Sequence, residues 1–343
     1  MQMAIFSIAL IANIHFLFIP LVIGLPFMLY IENIFFEKSD ILLTDLFLIN
    51  FIFAILTGMI FAYELKINWN FLPQNLKYIS KINTYFFLII ELILFALLKK
   101  QKKKNISLLL LICIVCSIIP NILIAAWMQN PISTTIINNK IICNLKELFN
   151  KTFFFKLTHI LIASALTAAA CLCSIYSFKK QLIKLNFYSK IGIILSIIML
   201  LNAHYKTKEL SLSQSKKFVA MENISKNNTN FAYLLLSKEK YQTLPKNDQN
   251  NTLFYSFHIM IFCFFAMLFS FIFKFKYVFI FPLIANFCGW LLAEHGRKPW
   301  IIYNVLLTKD AFKNEANNFY ILLFLSIIIC ISYIYIIKKK LNE

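Results

Sequence analysis

Gly289-Trp290-Leu291-Leu292-Ala293-Glu294-His295-Gly296-Arg297-Lys298-Pro299-Trp300 closes a long apolar run and holds the only arginine in the chain. All the other members of the 34 Lys+Arg are lysines. A sequence that replaces arginine almost everywhere keeps one where lysine will not serve. A guanidinium is planar, permanently charged and able to grip a carboxylate with two hydrogen bonds, which an ammonium cannot do. The segment around Arg297 is therefore expected to hold an acidic group, either Glu294 or an acid on a bound ligand. Glu294 and Arg297 share a helix face if the helix continues that far, and Pro299 predicts a stop just beyond.

Runs like the one before Arg297 recur and settle the fold class. Hydrophobic residues make up 60% of the chain and charged residues 14%, against about 45–50% and about 25% in a soluble domain. Several runs can cross about 30 Å of hydrocarbon, and β-barrel alternation is absent. The expectation is an all-α polytopic membrane protein with about nine transmembrane helices. Candidate spans fall near residues 4–30, 41–63, 84–98, 106–128, 154–177, 190–203, 252–273, 277–296 and 319–337, the third and sixth being short. The N-terminal run lacks a basic n-region and is too long for a cleavable signal. The chain thus divides into helices one to six over 1–203, a polar stretch over 204–251, and three further helices with a tail over 252–343.

A net charge of +19 could suit nucleic acid, but the lysines cluster between apolar runs and read as loop charges facing lipid headgroups. Lys99, Lys100 and Lys102–Lys104 join spans three and four; Lys179, Lys180, Lys184 and Lys190 join five and six. Lys274 and Lys276 mark the next tight turn, and Lys338–Lys340 close the chain. All four clusters share one side if the N-terminus is outside, which makes the C-terminus cytoplasmic. The stretch 204–251 then lies outside; rich in Asn, Lys and Ser, it reads as a disordered loop. The cysteines within apolar runs behave as small hydrophobes, and Cys113/Cys116 and Cys171/Cys173 have no polar partners for a metal.

Ionisable groups inside spans are costly and mark function by default. His15, Glu91, His159 and Glu294 are the candidates. A histidine in an apolar helix either hydrogen-bonds a neighbouring helix or ligates a metal or heme. Two such histidines, with Met260 near the outer end of another span, favour heme, since His and Met are axial ligands of electron-transfer hemes. Glu91 has no basic residue within a helical turn and suits proton transfer or a bond to a neighbouring helix.

Gly289-Trp290-x-x-Ala293-Glu294-x-Gly296-Arg297-x-Pro299-Trp300 resembles the signature of subunit I of cytochrome bd-type quinol oxidases. Other segments agree in order: His15 to Leu21 with Gly24; Thr57-Gly58 with Asn68-Trp69; Trp127 to Pro131; His159; Gln214 to Lys217 with Glu222; and Phe257 to Met260. The resemblance implies a terminal oxidase subunit in the bacterial cytoplasmic membrane, passing electrons from quinol to oxygen and making water. It implies two hemes b and a heme d, or a third heme b. His159 and Met260 would ligate the low-spin heme b, Glu294 would serve the high-spin heme b, and His15 would ligate the oxygen-binding heme. Lys217 and Glu222 would bind and deprotonate quinol on the loop 204–251, and Glu91 would lie on the proton path from the cytoplasm. Arg297 would grip heme propionates. A similar second subunit, and a small single-span one, are the implied partners, with no nucleic acid.

The chain departs from the family pattern at several positions. Asn83 stands where a second carboxylate is usual, Ile5 and His258 where arginines are usual, Lys298 for the signature Gln and Phe287 for an acidic residue. Two other readings remain beside the oxidase. One is a decayed homologue that keeps the scaffold, and the low-spin heme at most, without reducing oxygen. The other is a proton-coupled transporter, which would show half-sequence symmetry and broken helices.

Overall fold

Long apolar runs in a lipid solvent must satisfy their own backbone, and the helix does so segment by segment. In the computed structural model, which describes residues 2–36, 40–68, 74–101, 104–132, 134–137, 140–143, 148–222, 251–311 and 318–342, the helices are α1 (Gln2–Phe35), α2 (Ile41–Asn68), α3 (Gln74–Gln101), α4 (Lys104–Gln129), α5 (Lys151–Phe178), α6 (Leu182–Ser213), α7 (Ser215–Glu222), α8 (Asn251–Phe273), α9 (Ile280–His295), α10 (Thr308–Ala311) and α11 (Phe319–Asn342). Eight of them are long and apolar enough to cross a membrane: α1 to α6, α8 and α11. The ninth expected span, α9, has 16 residues, about 24 Å at helical rise, and packs along α8. The protein is an all-α, multi-pass membrane protein.

Two spans differ from their sequence-based limits. The third and sixth looked short because Lys and Asn flank their apolar centres. The helices instead run on to Gln74–Gln101 and Leu182–Ser213. Lysine stems can lie along a helix and carry the charge to the headgroups, so polar residues there do not end it. The start of 204–251 is likewise helical: α6 runs through Ser213, and α7 buries Lys217, Phe218, Val219, Ala220, Met221 and Glu222. Residues 223–250, the rest of that stretch, lie outside the described residues, as do Trp69, Lys102 and Lys103.

The centre of the bundle is α1 against α5. Gly24 sits so close to α5 that a Cβ there would stand 2.1 Å from the Ser164 carbonyl oxygen and 2.8 Å from Ala168 Cβ. Small residues let membrane helices approach at backbone distance, and α5 offers Ser164, Ala165, Ala168, Ala169 and Ala170, all buried. α2 and α4 flank α1, α6 packs on the other side of α5, and α8 and α9 close against α5 and α6. Two small antiparallel hairpins, β1 (Thr134–Ile137) with β2 (Lys140–Cys143), and β3 (Trp300–Ile302) with β4 (Leu306–Leu307), sit in the connections after α4 and α9.

Tertiary contacts gather the lysine clusters at one end. Lys184 bridges Asp40 (2.6 Å) and Glu32 (3.1 Å), Lys340 pairs with Asp45 (3.0 Å), and Asn33 donates to Ser107 Oγ (3.3 Å). The Phe279 N–H donates to Ser174 Oγ (3.1 Å), bringing the α8–α9 turn to the same end. Burial would raise the Asp40 carboxyl. Hydrogen bonds from Lys184 and the Leu42 N–H, the Lys184 charge and the Tyr176 hydroxyl outweigh it and hold Asp40 below its usual value. By the positive-inside rule this is the cytoplasmic end.

Candidate functional site

The opposite, outer end is polar for a different reason. The termini of α4, α5, α6, α7 and α9 meet there through side chains. Asn130 Nδ2 donates to Thr152 Oγ1 (3.1 Å), Thr152 Oγ1 donates to Glu209 Oε1 (2.6 Å), and the Gln214 amide donates to the Gln129 carbonyl. The Tyr303 N–H donates to the Met128 carbonyl (3.0 Å), tying β3–β4 to the end of α4.

α7 brings Lys217 and Glu222 into this end. The Lys217 stem lies on Gly296, where a Cβ would come within 2.4 Å of Lys217 Cε. Burial, then the charges of Lys206 and Arg297, bring the Lys217 ammonium down to about 7, with Glu294 and Glu209 opposing. Glu222 faces His258 on α8; burial raises its carboxyl, and the His258 charge opposes that. Arg297 is buried to 2% exposure and pairs with Glu294, whose side chain is 41% exposed. The first of the two partners expected for the lone arginine is thus in contact with it.

His159 and Met260 each lie two to three turns in from the outer starts of their helices. His159 is eight residues in from the outer start of α5 and Met260 nine in from that of α8, about 12 and about 14 Å at helical rise. The two helices touch. His159 Nδ1 is buried with no hydrogen-bond partner among the described residues, and Asn202 lies beside the ring. Met260 Sδ faces Gly289, where a Cβ would sit 3.6 Å away. A buried, unsatisfied imidazole nitrogen is costly in a membrane, and a metal–ligand bond would satisfy it. These residues therefore fit a heme.

His15 sits between α1 and α2. Thr57 Oγ1 donates its proton to the Phe53 carbonyl (2.7 Å), so its oxygen accepts from His15 Nδ1 (3.0 Å). That places the ring proton on Nδ1 and the lone pair on Nε2. A neutral imidazole with a defined lone pair fits heme iron. Gly58 leaves room for the ring, since a Cβ there would be 3.0 Å from His15 Cε1.

Glu91 stands apart, buried between α3 and α4 with Oε1 unpartnered and Ser117 facing it. Asn83, on the same helix, donates to the Cys116 and Ser117 carbonyls (3.3 and 3.1 Å). Some site residues escaped the sequence reading. Lys156 Nζ donates to the Ala125 carbonyl (3.1 Å) and lies within electrostatic reach of Arg297, Lys206, Lys217 and Glu294. Glu64, 1% exposed, accepts from Asn68 (2.9 Å) and Asn318 (3.4 Å) beside a 440 Å³ cavity between α2 and α11. Lys156 begins an apolar run, three residues before His159; that helical spacing is the signal that could have found it.

Membrane-crossing helices that bury histidine, methionine and carboxylate groups toward one end define a multi-pass protein with an ionisable centre near its outer surface. The chain belongs to the cytochrome bd terminal oxidase subunit I family, whose sequence model matches residues 3–244 and 239–342. It is 22% identical to the cytochrome bd ubiquinol oxidase subunit 1 of Bacillus subtilis (strain 168), over 87% of this chain and 82% of that protein. Its fold is that of the bd oxidase structure from Geobacillus thermodenitrificans, with a TM-score of 0.83, 19% identity and coverage of 99% and 98%. Family membership sets the transporter reading aside and makes the chain one subunit of a membrane complex.

Proposed function

We propose that this chain is the heme-bearing subunit of a quinol-oxidising terminal oxidase that reduces oxygen to water. The observation that carries the reading is the pair His159 and Met260, each two to three turns in from the outer start of touching helices, beneath a basic cluster at the outer end. His159 and Met260 would hold a low-spin heme b, Glu294 a high-spin heme b, and His15 a heme d or third heme b. The hemes would supply one-electron transfer and the oxygen-binding iron.

The chain's own groups then divide the work. Lys217 donates to a quinol oxygen, and the raised Glu222 carboxyl, next to His258, exchanges the quinol proton at the outer face. Glu91, buried with an unpartnered oxygen on the α3–α4 face, holds a proton on its way from the cytoplasm. Proton release outside and uptake inside charge the membrane without a pump. A second subunit and a small single-span subunit complete the complex, in the bacterial cytoplasmic membrane.

The test is a reduced-minus-oxidised spectrum of the chain purified with its partners. Heme bands are expected, and their complete absence would sink the reading. Glu294→Ala should lose the high-spin signal and keep the low-spin one; survival of both would overturn the role of Glu294. One observation favours the decayed-homologue reading: Asn83, neutral, spends its amide on α4 carbonyls where the family has a carboxylate. A low-spin b signal without the red-shifted chlorin band would select it.

A further inference from the structure

Four basic side chains, from three helices and one turn, converge at the outer end: Lys156 on α5, Lys206 on α6, Lys217 on α7 and Arg297 after α9. Lys217 and Arg297 are 7% and 2% exposed. Among the described residues two carboxylates act on them: Glu294, paired with Arg297, and Glu209, which accepts from Thr152 and acts on Lys206 and Lys217. Buried charge of one sign is expensive unless an opposite charge meets it. The excess is positive, so the missing partner is an anion. An ammonium has three donors, and the Ala125 carbonyl takes one from Lys156 at 3.1 Å.

The placement says which anion. Lys156 is one helical turn from His159 on the same face of α5, on the outer side of it. Lys206 acts electrostatically on both His159 and Lys217. A ligand held at His159 with acidic groups directed outward would meet Lys156 first and Lys206 across from it. We infer that Lys156 and Lys206 are the anion-holding residues of the His159 site and take the paired carboxylates of its heme. In this chain lysines thereby do at the low-spin site what its missing arginines cannot. The inference rests on the heme reading above. The shared chemistry, anionic oxygens at a half-buried ammonium pair, would also suit a lipid headgroup phosphate.

The experiment uses the purified complex with Lys156→Met, Lys206→Met and Lys156→Arg. Three quantities are read: heme per protein, the low-spin midpoint potential by spectroscopic titration, and bound phospholipid by mass spectrometry. A cation beside the heme disfavours the ferric state, whose charge is one unit more positive. Each Met variant should therefore show a negative midpoint shift with reduced heme retention, and Lys156→Arg should restore both. If Lys156→Met does not assemble, Lys206→Met carries the same expectation. Wild-type heme content and potential in the Met variants overturn the inference, and lost phospholipid with unmoved heme assigns the site to lipid instead. A wild-type complex without heme overturns the heme reading and this inference together.

Discussion

The Thr57 hydroxyl has one proton, and the Phe53 carbonyl takes it at 2.7 Å. What Thr57 offers His15 is therefore an acceptor, and losing it frees the ring to change tautomer. Outer-shell partners of metal ligands are worth about 10–100-fold in affinity. Thr57→Val should release the group held at His15 during purification, while Thr57→Ser keeps it. Equal heme content in the two variants would refute the tautomer argument. Lys217 gives a pH prediction. Its folded value of about 7 lies below the unfolded value of about 10.4. The unfolded chain then binds more protons between those limits, so stability rises with pH across that window. The donation to quinol proposed for Lys217 would run the other way and fade as pH rises through about 7. Apparent KM for quinol should climb from pH 6 to 8, and Lys217→Arg, charged throughout, should flatten the climb. A KM that climbs equally in Lys217→Arg would point to a different titrating group. His15, His159 and Glu294 stood out as candidates because an ionisable group in an apolar run is conspicuous. Lys206 did not, because a lysine beyond the end of an apolar run looks like every other loop lysine in a chain with one arginine, and Lys156 was marked only by its helical spacing to His159.

Among elements, the apolar cores of the long helices were readable and their ends were not. α6 passes through Lys206, Lys208 and Glu209 without stopping, and α7 is too short and too polar to announce itself. Its burial comes from α6 and α8, a tertiary effect that no local pattern carries. The cytoplasmic ends of α5 and α8 show a sharper conflict between sequence and structure. The Gln181 N–H reaches the Tyr176 carbonyl and the Phe275 N–H the Ser270 carbonyl, both at 2.9 Å. Each bond closes a helix in a Schellman motif, whose next-to-last position needs the left-handed conformation. Lys180 (φ 54°) and Lys274 (φ 55°) occupy those positions. Glycine is the residue for that conformation, and a chain with only five glycines has used lysine instead. A side chain there costs about 1 kcal/mol. Lys274→Gly should raise the thermal midpoint of the purified complex, with Lys274→Ala near wild type. A lower midpoint for Lys274→Gly would show that the ammonium, rather than the backbone, matters at that turn.

At the scale of the whole molecule, two ends of unlike charge chemistry define a direction across the membrane. One end carries lysines on turns and helix termini, exposed or paired with Asp40, Glu32 and Asp45. The other also has exposed lysines, Lys208, Lys216, Lys298 and Lys309 among them, but adds two basic groups held inside, Lys217 and Arg297. The lysine turns of the first end set orientation, and the buried basic groups of the second line the candidate site. Under the proposed function the separation has a consequence for chemistry, since quinol protons freed near Glu222 would leave on the side away from the paired lysine turns. Lys276, in the α8–α9 turn, and Lys309, on α10, are both exposed and lie at opposite ends. A Lys309→Cys variant should react with a membrane-impermeant maleimide in intact cells, whereas Lys276→Cys should react only after permeabilisation. The buried native thiols, among them Cys171, Cys173 and Cys263, should contribute a low background in both. The reverse labelling pattern would invert the protein, put the Lys217–Glu222 site on the cytoplasmic side, and remove charge separation by proton release from the mechanism.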